Sequence, residues 1–304
     1  MRTDVAFPSA GLTLAGHLYP PDAGGRGPAV VVSHPMSGVK EQTAGSYAER
    51  LARAGFVTLT FDAAYQGESE GEPHLLEDPS HRVEDIKAAV TFLSLRDEVD
   101  GDRIGALGIC ASGGYLIPAA ATDHRIKAVA TVSAVDTGSL FRDGLGRTQD
   151  PRILQGMLDA AGAARTEEAQ GKPARLQQIH PDGEAPAKAL GQHIYDGWEY
   201  YRTPRAQHPR SANHFVLRSI DLIAQFNAFD LIHLIAPRPL LMIAGTAAAT
   251  AYLTREAIEQ AREPNELFWI DGATHVDLYD KEEYLPTAVT KLADFFRSHL
   301  DGTT

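Results

Sequence analysis

The apolar positions of the first 135 residues alternate between a period of two and a period near 3.6. Residues 4–8 and 11–19 (GLTLAGHLY) alternate apolar and polar side chains about a turn and predict a hairpin. Residues 28–34 (PAVVVSH), 57–61 (VTLTF), 103–109 and 127–133 are short runs of mainly apolar residues, the pattern of strands buried on both faces. Helices are predicted between them at 41–54, 81–97 and 112–122, the second with Val83, Ile86, Val90 and Leu93 on one stripe. This βαβ succession implies an α/β protein with a mostly parallel sheet covered on both sides. From about 137 to 235 the strand signal stops, and the segment reads as helical, polar and rich in aromatics, as in YDGWEYYR at 195–202. The alternation resumes with strands at 239–246 (PLLMIAGT) and 266–270 (ELFWI) and helices at 253–262 and 281–299. The expected organisation is a core of residues 1–136 and 236–304 with a helical cap, 137–235, inserted between the sixth and seventh core strands. That cap is expected to fold over the crevice at the C-terminal strand ends, where open α/β sheets bind ligands.

Composition narrows the classes. The chain has 304 residues, 43% of them hydrophobic, and a formal net charge of −12. That charge argues against a nucleic-acid partner, which needs a basic face. No stretch approaches the ~20 apolar residues of a membrane span and the first residues lack a signal-peptide pattern, so no membrane partner and a cytoplasmic location are expected. One cysteine excludes an internal disulfide and a Cys-rich metal site, and the twelve histidines show no HExxH pairing, so neither metal nor cofactor is expected. A homodimer stays open.

Chemistry concentrates around that cysteine, in RIGALGICASGGY at 103–115. Gly108-Ile109-Cys110-Ala111-Ser112 fits the small-x-nucleophile-x-small pattern of a nucleophile elbow between a strand and a helix. A helix N-terminus behind the sulfur favours thiolate and lowers the thiol pKa from ~8.5. Ser112 satisfies the same rule, but placing the elbow there lengthens the strand and leaves only Gly113-Gly114 to begin the helix, so Cys110 is preferred.

This stretch resembles the strand–elbow–helix of α/β-hydrolases, and a cysteine nucleophile resembles the dienelactone-hydrolase-like branch. SHPMSGVKEQ at 33–42, TFDAAYQGESEGEP at 60–73 and DGATHVDLYD at 271–280 are similar to loops of such proteins and of fungal polyketide thiohydrolases and acyltransferases. The resemblance implies an α/β-hydrolase fold and puts the base at His275. It also expects an aspartate in the loop after the strand at 239–244, at Ala249, where residues 245–251 carry no carboxylate. Asp136 reaching over from the neighbouring strand end, a Cys–His dyad, or loss of hydrolysis remain as explanations. Oxyanion donors are expected at the amides of Ala111 and Met36. His34, Tyr65 in the 62–68 loop, and the cap aromatics around Trp198 (Tyr200, Tyr201, His208, His214) are candidates to face the substrate. The implied partner is a small-molecule acyl compound. An ester, lactone or thioester hydrolase acting through acyl-Cys110, an acyltransferase using the same intermediate, and a binding protein with a degenerate site all fit.

Overall fold

The structure, a computed structural model, describes residues 2–21 and 25–300. The hairpin forms as β1 (Thr3–Ser9) and β2 (Leu12–Tyr19), followed by β3 (Gly27–Ser33), α1 (Thr43–Arg53), β4 (Val57–Phe61), α2 (Pro79–Ser94), β5 (Val99–Ile109), α3 (Ala111–Thr122) and β6 (Ile126–Val132). The inserted segment holds α4 (Thr137–Asp143), α5 (Pro151–Ala169), β7 (Leu176–Gln178), α6 (Glu184–Ala189), α7 (Gln192–Arg202), β8 (His214–Val216) and α8 (Ser219–Ala224). The chain closes with β9 (Leu240–Gly245), α9 (Ala251–Gln260), β10 (Asn265–Ile270), α10 (Asp277–Asp280) and α11 (Leu285–Leu300).

Eight strands make one sheet in the order β1-β2-β4-β3-β5-β6-β9-β10. β1–β2 and β2–β4 pair antiparallel and the remaining pairs are parallel. The apolar runs follow from this: Val30 and Val32 enter one core with α1 and α11, whereas Val31 enters the other with α2 and α3. With both faces covered, alternation disappears from the sequence.

Two expectations are corrected. The segment 137–235 is not strandless, because β7 and β8 pair antiparallel over three residues. All three residues of β7 are exposed, so no buried face marks it in the sequence. The helix expected at 81–97 begins earlier, at Pro79, where the Asp78 side chain accepts from the Ser80 and His81 amides and the proline supplies a compatible first position.

Candidate active site

The β5–α3 junction is an elbow. Cys110 has φ 56° and ψ −119°, a conformation disfavoured for a residue with a side chain and held here by the turn, with the Cys110 carbonyl accepting from Gly113 and Val135. A Cβ on Gly108 would lie 2.2 Å from the Ser112 carbonyl oxygen, which is why that position must be glycine. The competing hydroxyl is committed elsewhere: Ser112 Oγ donates to the His34 carbonyl at 2.6 Å.

Cys110 opens toward a cavity of about 530 Å³ and is enclosed by protein on its other sides. His275, from the loop after β10, lines the same cavity, as do Met36 and Ala111, the expected oxyanion donors. Between Cys110 and His275 stands Tyr279 of α10, one helical turn beyond His275. Its hydroxyl lies 3.0 Å from His275 Nε2 and also hydrogen-bonds the Cys110 sulfur and the Tyr201 hydroxyl. The other imidazole nitrogen, Nδ1, meets Thr250 Oγ1 at 2.6 Å. Thr250 stands at the N-cap of α9 yet makes no capping bond, because its hydroxyl goes to the histidine. His193 of α7 completes the group, its ring edge-on to His275 at 5.2 Å between centroids.

Burial dominates the electrostatics. It pushes the Cys110 thiol up despite the Tyr279 hydrogen bond, overturning the lowered pKa expected from the helix terminus. Burial, with the adjacent His193, holds His275 well below the usual imidazole range. The resting pair is therefore neutral thiol and neutral imidazole. Burial also lowers His34 and His193, and takes His180 down to about 4. A histidine with a depressed folded pKa adds stability that is complete above the unfolded value of ~6.5 and is lost as pH falls below it. The urea midpoint is accordingly expected to fall from about pH 6.5 downward, and His180→Phe, which keeps the stack on Tyr201, to flatten that fall. Identical pH profiles for the two proteins would contradict this.

Several expected residues are elsewhere. Asp136 does not reach His275: it caps α4, accepting from the Ser139 amide at 3.1 Å, and burial raises its pKa. Ala249 is exposed, and the position beside His275 belongs to Thr250, one residue on. His34 is buried behind the elbow, bound to the Ala63 amide and to Arg82, which pairs with Glu77 at 2.9 Å. Tyr65 packs edge-on against His81 and does not line the cavity. Trp198 stacks on Tyr195, while the cavity face of α7 is His193, Ile194, Gly197 and Tyr201. Neither His208 nor His214 lines the cavity, and Tyr200 packs against Tyr279 from outside it. Thr250, Tyr279, His193 and His180 carried no weight in the sequence. Tyr279 stood in the DGATHVDLYD stretch at a helical spacing of four from His275, which is the one signal available for it.

Among the described residues no group of side chains is arranged to hold a metal, and no helix is long and apolar enough to cross a membrane. A model of the dienelactone hydrolase family matches residues 14–134. The uncharacterized protein YcjY of Escherichia coli strain K12 is 41% identical over 275 residues, covering 90% of this chain and 89% of that protein. The crystal structure of hypothetical protein PA2218 from Pseudomonas aeruginosa superposes with a TM-score of 0.92 at 36% identity, covering 98% and 94% of the two chains. The thiohydrolase aneE of Aspergillus aculeatus is 30% identical over 237 residues, 77% of this chain and 72% of its own.

Proposed function

The chain belongs to the dienelactone hydrolase family and is an α/β-hydrolase, and on that premise we propose that it cleaves an ester, lactone or thioester of a small hydrophobic molecule through an acyl-Cys110 intermediate. The observation that carries this reading is Cys110 at a positive-φ elbow, sharing a cavity with His275. With Nδ1–H donated to Thr250, His275 Nε2 is free to accept. The thiol proton passes to it through the Tyr279 hydroxyl as sulfur attacks the carbonyl carbon, and the oxyanion is met by the Ala111 and Met36 amides. His275 returns the proton to the leaving oxygen or sulfur, and then activates water against the thioester. A neutral resting pair suits this order, because His275 holds no proton until attack begins.

The test is a p-nitrophenyl ester followed by intact-mass measurement. Wild type is expected to gain one acyl group, mapped to Cys110, and Tyr279→Phe to acylate about tenfold more slowly, the size of one lost hydrogen bond to a charged group. Absence of any adduct together with tight binding of the ester would leave a binding protein instead. Acyl transfer is a second reading, favoured by a mostly apolar lining that carries no Lys, Arg, Asp or Glu. Faster decay of the adduct with an added alcohol than in water alone distinguishes it.

A further inference from the structure

Beside the catalytic cavity lies a second one, of about 580 Å³, under α5 and against β8 and α8. The two share a wall of Met36, Phe141, Met157 and Ile179. Two of these are methionines, the unbranched side chains that most readily move aside. The second cavity, like the first, is lined by no Lys, Arg, Asp or Glu. Its α5 side is a single helical stripe, Ile153, Gly156, Met157 and Ala160. The rims are apolar as well: Ile153 is 52% exposed at the second cavity, and Leu190 is 65% exposed at the first.

We propose that the two cavities form one channel, in which the second holds the distal part of an uncharged, hydrophobic acyl chain whose carbonyl is at Cys110. This rests on the acyl-cysteine reading and deepens it. The occupant follows from continuity with the site and from the lining. A charged chain would lose its hydration with no oppositely charged side chain in either cavity, whereas methylenes gain from every apolar surface they cover. Met157 and Ile179 then set the passage, and Gly156 sets the depth beyond it.

Gly156 gives a clean test, since a Cβ built there has nothing within 4 Å and the helix tolerates any ordinary residue better than glycine. Wild type is expected to prefer p-nitrophenyl decanoate over the butyrate in kcat/KM. Gly156→Phe should lower the decanoate value by about tenfold or more while leaving the butyrate unchanged, because a few buried methylenes are worth that much. Ala160→Phe, one turn along the same stripe, should do likewise and guards against a single misfolded variant. Equal fold-changes for the two esters in both variants, whether none or a shared loss, would overturn the channel. If no ester acylates Cys110, the acyl reading fails and the channel is judged by calorimetric binding of decan-1-ol. Weakening by about tenfold in Gly156→Phe, with butan-1-ol unaffected, supports it, and an unchanged decan-1-ol affinity overturns it.

Discussion

Cys110→Ala is expected to lower kcat/KM for any ester the protein turns over by about 10⁴-fold or more, the scale seen when a nucleophile is removed from a hydrolase. No other side chain at the elbow can stand in. Ser112 Oγ is bound to the His34 carbonyl at 2.6 Å, and releasing it would leave that buried carbonyl unpaired. Stability should move little, by about 1 kcal/mol, since alanine has the same φ preference as cysteine and only one sulfur atom is lost. The variant should also show no acyl adduct, which separates loss of chemistry from loss of binding. Retention of more than about a tenth of the activity would mean that water is activated directly by His275 and that no acyl-enzyme forms.

How much of this was open to a reader of the sequence depends on whether a feature is local. β3, β4 and β9 are buried on both faces, and a buried run such as PAVVVSH or LLMIAG announces itself without knowledge of its neighbours. The elbow is local too, because strain at Cys110 demands small residues two positions away on each side. The partners of His275 are not local. Thr250 lies 25 residues upstream of it and meets Nδ1 only because β9 and β10 pair in parallel and end side by side. A threonine before a helix reads as a cap, and nothing in its neighbours shows that its hydroxyl is aimed away from the helix. Trp198 fails for a related reason. The composition of α7 marks an aromatic face, but the helix register selects His193, Gly197 and Tyr201 for the cavity and turns Trp198 onto Tyr195.

Thr250→Asp is expected to raise the acylation rate at pH 8 by about ten- to hundredfold, part of the roughly 10⁴ that a correctly oriented aspartate is worth in a triad. A threonine oxygen at 2.6 Å fixes the ring and its tautomer but supplies no charge, so the imidazolium formed during attack is stabilised only by a dipole. A carboxylate at the same position stabilises that cation directly and keeps the same Nδ1–H acceptor. α9 already starts without a side-chain cap from Thr250, so the substitution removes no capping bond and the helix should keep its start. The pH profile provides the check that a mere change in packing would not move. In wild type His275 sits well below 6.5, so kcat/KM should show no acidic loss near neutrality. In the variant the carboxylate raises the His275 pKa, and the acidic limb must shift upward with it, so that activity falls as pH drops through the new value. Ala249→Asp, exposed and one residue away from the ring, should produce neither effect. If Thr250→Asp gains nothing and its acidic limb stays where wild type has it, the threonine does not occupy the acid position, and the Cys110–His275 pair works with orientation alone.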